Sequence, residues 1–198
     1  VSPPEHRLFQ QPWPEGEYRM FQLGFVVADV VEAAGRWASV FGVGPFHVLP
    51  SRKVVCRYRG EESDFEMQVA VAQAGPLQIE LISQPDDHPS VIRDLFAQGE
   101  SGLHQLCTVT PGYDAKLAFY RNLGYEVVCE LTGGLRVAYV DTTADFGFFT
   151  EVVEDAPGFL AQIGAIAETC RTWDGTDPVR LMTRTGYTTP APMASPPC

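Results

Sequence analysis

One order of elements occurs twice along this chain, and it limits the fold more than any motif does. Phe21–Val27 alternates like a strand, and a helical pattern follows from Asp29 to Phe41. Short strand-like runs come next at Phe46–Leu49, Val54–Tyr58, Phe65–Ala72 and Leu77–Ser83. The order then restarts: Leu103–Val109 as a strand, Tyr113–Leu123 as a helix, and Tyr125–Leu131, Leu135–Asp141 and Phe148–Val153 as strands. Little residue identity accompanies the repeat, although Trp37 to Gly42 echoes Phe119 to Gly124 at the helix ends. A half-barrel unit hides its apolar face only against another, so two copies in one chain should pair. The expected fold class is α+β, two tandem βαβββ modules forming a cup-shaped mixed sheet, plus a C-terminal helix.

Local signals support these boundaries. Asp29 and Glu32 have the spacing of a capping box, and Gly42 stops the helix they open. Ser90 is a cap for a short helix within 89–98. The organisation is then an N-terminal arm at 1–20, a first module at 21–84, a connecting helix and linker at 85–101, a second module at 102–154, and a C-terminal helix and tail at 155–198. Phe9 and Trp13 would pack the arm. In the last segment Gly158–Thr172 reads as a helix. Its stripe of Phe159, Leu160, Ile163, Ile166 and Ala167 should pack outside the cup or across a dimer interface. The Thr- and Pro-rich tail from Thr183 reads as irregular.

Strand alternation decides which side chains enter the cup. Phe21, Leu23, Phe25 and Val27 form the better core face of the first strand, so Gln22 points the other way. Leu77, Ile79 and Leu81 should pack on the helix, which turns Gln78, Glu80 and Ile82 towards the cup. Gln105 and Cys107 lie opposite Leu106, and Phe149, Glu151 and Val153 share a face. Each repeat thus places one polar residue on its first strand and one on its last: Gln22 and Glu80, then Gln105 and Glu151.

The run PLQIELISQP, followed by SVIRDLFAQGESGLHQL, resembles the module junction of methylmalonyl-CoA epimerases and related glyoxalase-like proteins. LAFYRNLGYEVV is similar to the second-module helix of the same group, the vicinal oxygen chelate (glyoxalase/bleomycin-resistance/dioxygenase) superfamily. The resemblance spans about residues 20–154 and extends to WDGTDPVR at Trp173–Arg180, a segment of bacterial glyoxalase-like proteins of mostly unassigned activity. It implies one metal ligand at each of Gln22, Glu80, Gln105 and Glu151. Epimerases usually have His at the first and third of these; glyoxalase I enzymes do have Gln at the first. His104 matches the first His of the epimerase GLHH motif, and alternation turns it away from the cup unless a bulge rotates it inward.

A set of two glutamines and two glutamates offers only oxygen ligands. It suits Mg²⁺, Mn²⁺ or Ca²⁺ better than Zn²⁺. The alternative is a metal-free cup in which these side chains bond one another and water. Either way a half-buried Glu80 or Glu151 serves as an acid or base. Arg57 and Arg59 share a strand face and are candidates to hold an anionic group; Tyr139 and His104 are candidates to orient a substrate. Cys107 has no visible base beside it.

These residues support two readings. One is an isomerase, epimerase or lyase that forms an enolate from a small carbonyl, carboxylate or thioester compound, with Glu80 or Glu151 moving the proton. The other is a non-catalytic protein of the bleomycin-resistance type that sequesters a small molecule. A ring-cleaving dioxygenase is disfavoured, because no two histidines occupy ligand positions. The net charge of -11 argues against nucleic acid as a partner. No apolar run approaches the roughly 20 residues that cross a bilayer, so no membrane role is expected. Five cysteines without a CxxC pair read as free thiols of a reducing, cytoplasmic setting. A homodimer is the expected assembly.

Overall fold

The protein is described over residues 19–191 from a computed structural model. Phe9, Trp13 and most of the arm lie outside the described residues.

The first module comprises β1 (Arg19–Val26), α1 (Val30–Phe41), the short β2 (Phe46–Val48), β3 (Arg52–Tyr58), β4 (Glu61–Ala74) and β5 (Leu77–Ser83). After α2 (Val91–Leu95) come β6 (Gly102–Thr110), α3 (Tyr113–Asn122), β7 (Val127–Leu131), β8 (Val137–Val140), the one-turn α4 (Thr143–Phe146) and β9 (Phe149–Glu154). The chain continues as α5 (Pro157–Arg171), β10 (Val179–Thr183) and β11 (Gly186–Thr188). This is the expected α+β architecture of two βαβββ-like modules and a C-terminal helix.

The helices begin where capping chemistry dictates. Asp29 Oδ1 accepts from the Val31 and Glu32 amides at 2.8 and 2.9 Å, and Gly42 closes α1 at φ 66°. Ser90 Oγ accepts from the Ile92 and Arg93 amides at the start of α2. One difference from expectation lies in the tail, where β10 and β11 form a hairpin after Trp173 and β10 runs parallel to β2. Edge pairing with β2 orders a segment whose composition alone reads as irregular.

The strands close a ring. β1 pairs with β6, β6 with β9, β9 with β8, β8 with β7, β7 with β3, β3 with β4, β4 with β5, and β5 with β1. The halves are therefore joined twice by main-chain ladders, at β1–β6 and β3–β7. Outside the ring, α1 packs Val30 and Ala34 against Phe46, Ile79 and Leu81, and α3 covers Ala138, Val140 and Val152. Inside lies a third cluster with Val54, Cys56, Phe65, Val128, Tyr139 and Phe149. The interior of the ring is where the polar residues converge.

Candidate functional site

The ring encloses a cavity of about 750 Å³. Gln22, Gln78, Glu80, Tyr139 and Glu151 line its polar end; Met67, Val69, Val71, Ile82, Val137 and Val153 line much of the rest. Gln105 lies behind the two carboxyls, fully buried. Its Nε2 is 3.1 Å from Glu80 Oε2 and 3.2 Å from Glu151 Oε2, so one amide bridges both acids. The side chain rests directly over Gly24. A Cβ there would come within 2.6 Å of Gln105 Cδ, so the close approach requires glycine at this position.

His104 reaches the site through a bulge. Gly24 opposes Gln105 and Phe25 opposes Leu103, which leaves His104 as the extra residue of β6. The bulge turns its ring inward, where it packs beside Phe149 and Tyr139 at centroid distances of 5.3 and 5.9 Å. His104 therefore does not face away from the cup as plain alternation requires. It does not line the cavity either. Nε2 bonds the Val91 carbonyl at 3.0 Å, and Nδ1 meets the Gln105 amide. An equivalent bulge occurs at Phe21, skipped between Met20–Thr108 and Gln22–Cys107. Phe21 leaves the face of Leu23 and Phe25 and joins the interior cluster.

Proton bookkeeping ties these groups together. The Val91 carbonyl needs an N–H from His104 Nε2, so neutral His104 presents a lone pair at Nδ1. The Gln105 group facing it must then be the NH₂, which turns Oε1 towards the carboxyls and requires a proton on one of them. With the amide reversed, His104 must be a cation, and both acids accept from the amide NH₂. Burial disfavours the imidazolium and lowers the His104 pKa, which selects the first arrangement.

The two acids differ. Burial, and then the charge of Glu151, push Glu80 up to about 8, and Arg52 opposes the rise. Burial also raises Glu151, but Cys107 and Tyr139 offer it donors that favour its charged form. The shared proton therefore rests on Glu80. Burial drives the Cys107 thiol well above its ordinary range, which disfavours the thiolate that nucleophilic attack needs.

Arg57 and Arg59 do not line the cavity. Arg57 Nε donates to the Gly60 carbonyl, and Arg59 forms a 3.0 Å ion pair with Asp94. Arg52 lines it instead, on the same face of β3 as buried Val54 and Cys56. That parity was available in the sequence. Gln78, turned towards the cup as strand alternation requires, is buried at the polar end, and its Oε1 has no hydrogen-bond partner. This leaves an acceptor for a ligand O–H or N–H.

The stripe on α5 does not pack outside the cup. Phe159, Ile163 and Ile166 lie over its mouth and line the cavity, while Leu160 faces outward at 38% exposure. Among the described residues no group of three or more His, Cys, Asp or Glu gathers to hold a metal ion, and no helix is long and apolar enough to cross a membrane.

The sequence matches the model of the Glyoxalase/Bleomycin resistance protein/Dioxygenase superfamily over residues 21–139, and the chain belongs to that superfamily. No curated protein matches the sequence. Among solved structures, methylmalonyl-CoA epimerase from Mycobacterium tuberculosis is similar at 18% identity and a TM-score of 0.54, over 77% of this chain and 98% of that one. A hypothetical protein from Bacillus halodurans C-125 is similar at 14% identity and a TM-score of 0.52, over 71% and 96%. A methylmalonyl-CoA epimerase in complex with methylmalonyl-CoA and ammonium gives 18% identity and a TM-score of 0.50, over 72% and 97%. At these identities the likeness establishes the fold.

Proposed function

We propose that this protein is an isomerase, epimerase or lyase that moves a proton on the carbon beside a carbonyl, through an enolate. The observation that carries this reading is the bridged pair of buried acids with unlike surroundings. Glu151, supplied with donors by Cys107 and Tyr139, is the charged base that takes the proton. Glu80, held near neutrality, is the acid that returns one. Two carboxyls pushed apart in this way divide acid from base at one pH. Gln22 lines the same end, and its amide supplies a donor to the enolate oxygen in a site sheltered from water.

The donor set also fits a hard cation. With Nε2 turned to His104, the Gln105 Oε1 joins the Glu80 and Glu151 carboxylates, and Gln22 lines the same end. These residues would hold Mg²⁺, Mn²⁺ or Ca²⁺, which as a Lewis acid would lower the charge of the enolate oxygen. Elemental analysis of protein purified without chelators tests this: a stoichiometric divalent ion supports it, and its absence leaves the proton of Glu80 as the only neutralising charge.

Solvent-deuterium exchange tests the reaction, with small carbonyl, carboxylate and thioester compounds as probes. Exchange at the carbon beside the carbonyl is expected with the unmodified protein. Exchange with none of them overturns the enzyme reading and favours a small-molecule binding protein, which the apolar walls of the cavity would also serve. In a binder of cations each lost carboxylate weakens binding; in the enzyme Glu→Gln spares binding and removes turnover.

A further inference from the structure

The cavity has a fixed wall and, among the described residues, a single lining cation, and together they describe the molecule it takes. The wall is α5, which lies beyond the stretch matching the superfamily. Only Asp155 and Ala156 separate it from β9. Its inner face, Phe159, Ile163 and Ile166, follows the spacing of one helix side. Phe159 meets Phe21 edge-on at 5.8 Å, and Gln78 Nε2 donates to the Ile163 carbonyl at 3.4 Å. At the other end Cys170 Sγ accepts from the Gln73 amide at 3.2 Å. Trp173 lies so close to Gly44 that a Cβ there would stand 3.0 Å from the ring. The helix is therefore pinned at both ends across the mouth of the cup. Met67, Val69 and Val71 of β4 and Val137 of β8 line the same cavity.

The cation is Arg52. It pairs in register with Met67, lines the cavity, and among the described residues enters no salt bridge. The register also gives a length. Arg52 opposes Met67 and Glu80 opposes Val71, four residues further along β4. At about 3.3 Å per residue that is roughly 13 Å of strand, part of which the two side chains span themselves.

We propose that the ligand is a free amphipathic acid of medium length. Its carboxylate sits on Arg52, its apolar body lies between α5 and β4, and its carbonyl-bearing end reaches Glu80 and Glu151. A thioester on a bulky carrier needs an open cup, and α5 crosses this one. Only the reactive end of this assignment rests on the proposed enolate chemistry; the binding part stands on the wall and the cation.

Calorimetric titration with hexanoate, octanoate and decanoate, with octanol, with octylamine and with octanoyl-CoA tests it. Octanoate is expected to bind about tenfold more tightly than octanol or octylamine, the scale of one charge-assisted contact. Octanoyl-CoA is expected to bind no better than octanoate. Arg52→Gln should erase the preference for acid over alcohol. Ile163→Trp should fill the apolar space and weaken acid and alcohol alike. Arg52 is exposed, so its variant keeps the test decisive if Ile163→Trp fails to fold. Equal binding of octanol or octylamine, tighter binding of octanoyl-CoA, or no binding by any probe overturns the proposal. Binding is read without turnover, so the two readings fail separately. Acids that bind while no carbonyl compound exchanges its proton would overturn the enolate reading alone; exchange on a thioester without acid binding would overturn this one alone.

Discussion

Phe21 and His104 occupy matching places in the two modules, each the extra residue of a bulge and each just before a glutamine. Their chemistry separates the halves. Phe21 offers no hydrogen bond, and Gln22 beside it is left to line the cavity. His104 holds the Gln105 amide and the Val91 carbonyl, so Gln105 withdraws behind the acids and bridges them. The last strands differ in step. Glu151 gathers Cys107 and Tyr139 as donors, whereas Glu80 has Gln105 and the distant charge of Arg52. One backbone plan, used twice, thus yields a contact residue and a clamp, a charged acid and a neutral one.

The largest test of this asymmetry is kinetic. Glu151→Gln should remove the base and cost about 10²–10⁴ in exchange rate. Glu80→Gln keeps the neutral character of the acid but cannot give up a proton. It should retain exchange of the substrate proton with solvent while losing interconversion of substrate and product. If both variants lose exchange equally, the two acids are not divided as described. In the unmodified protein the rate should fall as pH rises past about 8, where Glu80 loses its proton.

The same proton acts on stability. Glu80 titrates near its ordinary 4.5 when unfolded and at about 8 when folded, so the native state holds the extra proton between those limits. Stability should therefore decline as pH rises through that window, by up to about 1.4 kcal/mol per pH unit. Denaturant unfolding across this range should show the slope in the unmodified protein and a flatter profile in Glu80→Gln. An unchanged slope in the variant would assign the effect elsewhere.

Making the second bulge resemble the first is a smaller perturbation. His104→Phe should leave the Val91 carbonyl and one end of the Gln105 amide unpaired, at a cost of about 1–3 kcal/mol in unfolding free energy. A neutral outcome would mean that the clamp contributes nothing. The smallest effect concerns the helices. Asp29 caps α1, whereas α3 begins at Gly112 with no side-chain cap. Asp29→Ala should cost about 1 kcal/mol, and Gly112→Ala should fall well short of that, both read by thermal unfolding.

The face of Glu80 was legible because Leu77, Ile79 and Leu81 alternate with Gln78 and Glu80, and that of Glu151 because the strand parity groups it with Phe149 and Val153. Placing a side chain on a face then needs only the parity of its neighbours. The bulges were not legible, because an extra residue is set by the register of two strands far apart in sequence. Hence Phe21 read as core-facing under α1 and His104 as facing away. The position of α5 was hidden for another reason. Helical periodicity identifies the apolar side but carries no information about what that side covers. Arg57 and Arg59 attracted attention as paired charges, although Val54 and Cys56 already mark the opposite parity, that of Arg52, as the inward one.

The two ladders that join the halves, β1 to β6 and β3 to β7, also bear on ancestry. A ring assembled from two identical chains carries every substitution twice, so Phe before one glutamine forces Phe before the other. Within a single chain each copy is free to drift by itself. Phe21 beside Gln22 and His104 beside Gln105 are a pair that no symmetric assembly of one gene product can hold. A duplicated, covalently joined chain can inherit that pair and refine each member separately.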